Sequence, residues 1–412
     1  MGMTLIEKII YGKIERHSSP GEIVVLPIDA AMAHDGTAPL MIKSFEEMGA
    51  KKVWDREKAI FVIDHISPSS NEGTSTLHKM MRDFAKKHGI KLYDVGEGVC
   101  HQILPEMGYV FPGAVVVGAD SHTCTHGAFA AFATGIGSTE MAAVFASGKL
   151  WFKVPESIKI NINGKMKEHV TSKDIILHII GEIKADGATY KAVEFTGNTI
   201  REMSMDSRMV MTNMVVEMGG KTGLMPSDEK TRAFLEGRIK VPFKELKADE
   251  NAYYSDELEV EADKLEPVVS CPHSVDNVKP VSEVEGIEVD QVFIGSCTNG
   301  RLEDLRMVAK ILKGKKVKAR TIVMPASREV LLNAIKEGII EDIIMAGCAL
   351  GVPGCGPCVG GHHGIPSPGD VVVATTNRNF KGRMGIADAY IYLASPIIAA
   401  YAALNGKIIY PR

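Results

Sequence analysis

The chain has 412 residues, 45% of them apolar and 24% charged, with a formal net charge of −4 and a pI near 6.4. That length exceeds one ordinary core and predicts two or three domains. The mildly acidic balance gives no broad electrostatic reason to bind nucleic acid or an anionic membrane, so neither is an expected partner. The N-terminus, MGMTLIEKIIYGKIERHSS, mixes acidic and basic side chains and lacks the long apolar core of a secretory signal. A cytoplasmic protein is expected, with its seven cysteines as reduced thiols, metal ligands or core residues and not as disulfides. Glutamine occurs only at Gln102 and Gln291 while Ile, Lys and Glu are plentiful, a bias seen in proteins from hot environments.

Up to about residue 155, buried-strand runs at 23–26, 59–64 and 114–117 alternate with helical stretches at 72–87 and 140–149. Strands alternating with helices predict α/β layers on a mainly parallel sheet. Residues 156–277 open on a strand at 157–162, continue with a helix after Thr171-Ser172-Lys173-Asp174, and pass through a charged, loop-rich stretch at 226–266. From residue 278 the α/β texture returns, with strands at 289–295, 321–324 and 371–374 and a helix at 302–313. The apolar run at 390–404 is too short to span a bilayer comfortably and contains Pro396, so it reads as a buried helix. Three α/β domains are expected: 1–155, 156–277 and 278–412.

Open α/β sheets hold ligands in crevices at the carboxyl ends of their strands. Asp64 and His65, Asp120 to His122, Ser296 and Cys297, and Asn377 and Arg378 all come just after predicted strands. One shared active site follows. Cys297 lies in Gly295-Ser296-Cys297-Thr298-Asn299, and Cys355 and Cys358 form a C-x-x-C flanked by glycine and proline. A distant cysteine plus a close pair can bring three thiolates to one point, and the glycines let backbone N–H groups approach a bound anion or sulfide. Other readings of the same spacing are half a zinc site completed by His362 or His363, a thioredoxin-like redox pair, and three small core residues. Three cysteines on a cubane cluster leave one iron without a protein ligand, free to act as a Lewis acid. Cys100, Cys124, Cys271 and Cys348 fall outside any ligand spacing and read as core or loop thiols.

Asp64, His65, His101, Asp120, His122 and Glu217 supply carboxylates and imidazoles in loop-like settings. Dehydration of a hydroxy acid needs an acid for the departing hydroxyl and a base for the Cα proton. A carboxylate beside each imidazole would set its tautomer and support its charge. Arg378 and Arg383, in Asn377-Arg378-Asn379-Phe380-Lys381-Gly382-Arg383, suit bidentate recognition of a di- or tricarboxylate. Arginines satisfying local carbonyls are the plainer alternative.

Asp-Ser-His-Thr at 120–123, Gly-Ser-Cys-Thr-Asn at 295–299, Cys-Gly-Pro-Cys at 355–358 and Asn-Arg-Asn-Phe-x-Gly-Arg at 377–383 resemble the aconitase superfamily, in its two-subunit dehydratase branch. The resemblance covers the chain from about residue 29 to the C-terminus. It implies three aconitase-type α/β domains around a cleft and one [4Fe–4S] cluster on Cys297, Cys355 and Cys358, with Asn213 and Asn377 hydrogen-bonding near it. It pairs Asp64 with His65, Asp120 with His101 and Glu217 with His122, and gives Arg378 and Arg383 to the substrate carboxylate. His34 stands where aconitases proper place a glutamine, which puts its substrate contact in question. The fourth, swivelling domain of single-chain aconitases, with its serine base and further arginines, has no counterpart here. A separate small subunit would supply it, in a heterodimer or heterotetramer. The implied activity is a hydro-lyase that isomerises a hydroxy acid through an enoate, with His101 and Asp120 carrying off the hydroxyl. Isopropylmalate in leucine biosynthesis is the first substrate, homocitrate the next, and citramalate-type diacids follow. The rivals are an RNA-binding regulator formed on iron loss, which the acidic balance opposes, and a structural zinc protein.

Overall fold

The computed structural model describes residues 2–411. Three open sheets follow one another along the chain. The first has five parallel strands in the order Lys91–Tyr93, Ala59–Val62, Ala30–His34, Val115–Gly118 and Phe132–Gly135. The chain moves outward from Ala30–His34 on one side, then jumps back and moves outward from Val115–Gly118 on the other. Such a reversal opens a crevice above the carboxyl ends of the two central strands. All residues of Ala30–His34, Ala59–Val62 and Val115–Gly118 are buried, as expected of strands covered on both faces.

The second sheet is also parallel, in the order Thr222–Leu224, Ala192–Thr196, Ser157–Asn163 and Asp256–Glu261. Thr171 caps the helix Ser172–Ile183, its hydroxyl accepting from Lys173 N. The third sheet has seven strands, ordered Val278–Pro280, Val268–Ser270, Tyr390–Leu393, Val371–Ala374, Gln291–Ile294, Arg320–Val323 and Ala349–Leu350. From Tyr390–Leu393 to Ala349–Leu350 it is parallel. It reverses between Gln291–Ile294 and Val371–Ala374, creating a second crevice.

Four sequence expectations are corrected. The run at 23–26 is no buried strand of the parallel sheet. Ile23–Pro27 pairs antiparallel with Lys149–Lys153 in a separate ribbon, exposing alternate residues Ile23 and Val25. The helix expected at 140–149 spans Ser138–Ser147 and ends at left-handed Gly148, so Lys149 opens a strand. The run at 390–404 divides into the strand Tyr390–Leu393 and the helix Pro396–Asn405. Ser395 caps that helix and Pro396 sits in its first turn, where a missing N–H costs nothing. The stretch at 226–266 holds the helix Glu229–Leu235, capped by Asp228, and the strand Asp256–Glu261. Val268–Ser270 pairs with Val278–Pro280 and Tyr390–Leu393, so the strands of the second sheet end at 261 and those of the third begin at 268. Among the described residues no helix is long and apolar enough to cross a membrane.

The sheets are held against one another at the crevices. The helix Met205–Asn213 packs on the 3₁₀ segment Ser121–Phe129, where a Cβ on Gly127 would lie 1.5 Å from Gly223 O. Only glycine permits that approach. Val99 N donates to Ala326 O at 2.8 Å and Cys355 N to Asp64 O at 2.8 Å, tying the third sheet's loops to the first sheet's strand ends.

Candidate active site

Each central strand of the first sheet delivers an acid or imidazole to the crevice. Asp35 follows Ala30–His34 and accepts from the amides of Asp64, His65 and Ile66 at 3.3, 2.9 and 2.8 Å. His78 Nε2 lies 3.1 Å from its Oδ2, the oxygen that also accepts from Ile66 N. It thereby clamps the loop after Ala59–Val62. Asp64, held there, faces His65 Nδ1 at 2.7 Å and accepts from Cys100 N at 2.7 Å. The His65 ring stacks on His34 with centroids 3.7 Å apart. His34 Nδ1 accepts from Gly36 N at 3.1 Å, so its Nε2 carries the proton and points to Asp120 Oδ2, 3.4 Å away.

Asp120 caps Ser121–Phe129 after Val115–Gly118 and is the hub. Its Oδ1 accepts from His122 N at 2.7 Å and faces His101 Nε2 at 2.8 Å. Its Oδ2 lies 3.3 Å from His65 Nε2. His122 Nε2 meets Glu217 Oε1 at 2.7 Å, and Arg378 Nε meets the same oxygen at 2.8 Å. The three carboxylate–imidazole pairs of the resemblance are therefore all in hydrogen-bonding contact.

The buried charges sort these groups. Burial and the neighbouring His65 push His34 down to about 4, leaving it neutral. Burial also works against a charge on His65, but Cys355, Asp64 and Asp120 outweigh it and hold His65 well above the usual imidazole range. Burial opposes charge on Asp120 too. The His101 charge and hydrogen bonds from His101, His122 and His65 nevertheless keep it well below the carboxylate range. His101 itself is 1% exposed. Its Nε2 faces Asp120 Oδ1 at 2.8 Å and its Nδ1 is enclosed without a partner in the protein.

The third sheet brings the cysteines. Cys297 lies in the turn Ser296–Asn299 after Gln291–Ile294. Asn213 Nδ2 and Asn377 Nδ2 approach its sulfur at 3.3 and 3.5 Å. Arg301, fully buried, donates to Cys297 O at 2.8 Å, Thr298 O at 2.7 Å and Gln102 Oε1 at 2.9 Å. Gly356 adopts φ +61, and a Cβ there would lie 2.0 Å from Met324 Sδ, so the residue following Cys355 has to be glycine. Arg383 Nη2 donates to Cys358 Sγ at 3.3 Å. Burial and the neighbouring Cys358 and Asp120 push the Cys297 thiol up to about 11, although Asn213 and Arg301 oppose them. A buried thiolate here calls for a compensating cation.

All seven cysteines are free and buried, as expected of reduced thiols. Three thiolates on one zinc ion stand about 3.8 Å apart, given Zn–S bonds of about 2.3 Å. Among the described residues one set of three or more His, Cys, Asp or Glu donors lies within 4.8 Å, namely His34, Asp35, Asp64 and His65, and it contains no cysteine. Its donors are occupied by Gly36 N, the 64–66 amides and one another. The donor set of three converging sulfurs with N–H groups aimed at two of them fits a bulkier sulfide-containing cluster better than a single zinc.

Sequence reasoning missed Asp35, Arg301 and Lys173. Asp35 follows a buried strand as Asp64 and Asp120 do, which is a usable signal. Arg301 and Lys173 have none: Lys173 is completely buried and donates to Thr375 O at 3.1 Å and to Thr376 O, steadying the approach to Asn377. Arg378 and Arg383 are not free forks, since one bonds Glu217 and the other a cysteine sulfur.

Asp35 supports a stability prediction. Burial disfavours its charge, but the His78 hydrogen bond, the His65 and His34 rings and the His65 amide hold its carboxyl far below 3.8. A depressed folded-state pKa stabilises above the unfolded value and loses that stabilisation as pH falls toward the folded one. Asp35→Asn should cost about 2–4 kcal/mol at neutral pH, lowering the midpoint of the first thermal transition. The gap from the unsubstituted chain should stay constant down to about pH 4 and narrow below it. A gap that widens on acidification would refute the assignment.

The model of the aconitase family (aconitate hydratase) matches residues 7–286 and 278–406. The chain is 54% identical to a Methanothermobacter thermautotrophicus protein named "Probable 3-isopropylmalate dehydratase large subunit", covering 100% of this chain and 99% of that one. It is also 54% identical to the Thermotoga maritima "3-isopropylmalate dehydratase large subunit 1", covering 100% and 99%. A Methanosarcina mazei "Probable methanogen homoaconitase large subunit" is 54% identical over 93% of this chain and 98% of its own length.

Proposed function

The chain belongs to the aconitase family, and from that footing we propose that it is the large subunit of a 3-isopropylmalate dehydratase. Such a hydro-lyase interconverts 2- and 3-isopropylmalate by dehydration and rehydration in leucine biosynthesis. Asp120 carries the reading: one largely buried carboxylate contacts four histidines and lies near enough to Cys297 to push its thiol up. Full-length identity to large subunits so named supports it. A second reading, homoaconitase acting on the homocitrate series, is favoured by the equally similar M. mazei relative.

Cys297, Cys355 and Cys358 would hold one [4Fe–4S] cluster, with Asn213 and Asn377 donating to the Cys297 sulfur. When bound, its iron without a protein ligand supplies a Lewis acid for the substrate hydroxyl and carboxylate. The chain's own residues supply protons and grip. His65, charged between Asp64 and Asp120, stands at the crevice as the acid for the departing hydroxyl. His101 supports Asp120 from behind, and His122 with Glu217 holds the far side. Neutral His34 directs its Nε2–H at Asp120 Oδ2 and stacks on His65. Arg378 spends Nε on Glu217 and keeps both Nη groups for a substrate carboxylate, whereas Arg383 serves the Cys358 sulfur first.

The small subunit, in a heterodimer or heterotetramer, would bring the swivelling domain, the base for the Cα proton and much of the side-chain pocket. The complex would work in the cytoplasm. The test is a hydratase assay by enoate absorbance, with the anaerobically reconstituted chain alone and then mixed with its small subunit. Activity is expected in the mixture alone, with isopropylmalate preferred. Full activity of the isolated chain would overturn the split-enzyme reading, and preference for homocitrate-series acids would select the second one.

A further inference from the structure

Behind Asp120 and His101 lies a buried imidazole, His126, that the proposed chemistry does not use. His101, on the helix Cys100–Glu106, and His126, on Ser121–Phe129, face each other with ring centroids 5.6 Å apart and planes at 63°. They are 1% and 0% exposed. His101 Nδ1 and both nitrogens of His126 have no hydrogen-bond partner in the protein. Three enclosed imidazole nitrogens without a partner are costly to bury, since each forfeits its hydration. No hydrogen bond joins the two rings directly, and one water between them would partner a nitrogen on each.

The protonation pattern suits such a bridge. Asp120 is a carboxylate, so His101 Nε2 donates to it across 2.8 Å. Nδ1 is then a bare lone pair when the ring is neutral and an N–H when it is charged. Burial, with the positive charges of His101 and Arg301, keeps His126 neutral. A neutral imidazole offers one N–H and one lone pair, so a water between the rings can match either state of His101.

We propose that His126 is a positioning residue, joined to His101 Nδ1 through one buried water, that holds the His101 ring in place and through it the orientation of Asp120. His126 never touches substrate. The inference rests on the reading of Asp120 as the hub of the proton-handling groups.

The test uses the reconstituted two-subunit enzyme with the substrate that the unsubstituted enzyme turns over. His126→Leu should lower kcat roughly 10- to 100-fold with KM and iron and sulfide content unchanged, and His126→Gln, which can donate and accept, should recover most of the loss. Asp120→Asn is the control. If Asp120→Asn is inactive while His126→Leu keeps the full kcat, or His126→Gln is no better than His126→Leu, the inference falls alone. If Asp120→Asn stays active, the hub reading falls and takes the inference with it. Should neither His126 variant fold, a high-resolution crystal structure of the unsubstituted chain decides: an ordered water about 3 Å from both His101 Nδ1 and a His126 nitrogen upholds the bridge, and its absence overturns it.

Discussion

Replacing Cys355 with serine is expected to leave a folded chain that retains little iron or acid-labile sulfide and has no hydratase activity even with the small subunit. Backbone contacts hold the fold there: Cys355 N donates to Asp64 O, and the left-handed Gly356 shapes the turn. Neither depends on the sulfur. Serine offers a hard, protonated oxygen where soft thiolate is needed, and two cysteines do not retain a cluster that three were placed to hold. Cys348→Ala is the matched control, since Cys348 is buried in a separate apolar cluster of the third sheet and should keep both cluster and activity. Normal iron and sulfide in the Cys355→Ser protein would remove Cys355 from the ligand set.

Asp120→Asn should have the next largest effect, lowering kcat by roughly 10²–10⁴-fold while leaving cluster content intact. The carboxylate meets His101 Nε2, His122 N, His65 Nε2 and His34 Nε2, all of which call for an acceptor with negative charge. An asparagine keeps the shape but has one acceptor oxygen, and its NH₂ group faces N–H groups that cannot accept. His101 would be driven to the other tautomer and His65 would lose part of what holds its proton. A kcat within tenfold of the unsubstituted enzyme would show that Asp120 only shapes the loop.

Much of this site was legible because it is local in sequence. Asp64 with His65 and Asp120 with His122 follow buried strands rich in Val, Ile and Ala, a pattern that announces a parallel sheet with its loops at one end, and Cys355 with Cys358 stand out as a close pair among glycines and proline. The errors arose where pattern and burial diverge. Residues 23–26 are as apolar as a core strand, yet they sit in a ribbon with alternate residues exposed. The run at 390–404 is uniformly apolar, and periodicity cannot say that strand gives way to helix at Ser395.

The sequence by itself determined the class of layers, the three regions and most of the chemistry-bearing residues, because strand burial, helix caps and loop-end acids are encoded within a few residues of one another. Tertiary structure decided how those residues share charge. Asp120 as hub on His65, the stacking of His34 on His65, Arg378 on Glu217, Arg383 on Cys358 and the seating of His126 behind His101 join positions 25 to 161 residues apart. Contacts of that kind depend on how the sheets are docked, and docking follows from packing and close backbone approach such as Gly127 on Gly223, which no local pattern announces.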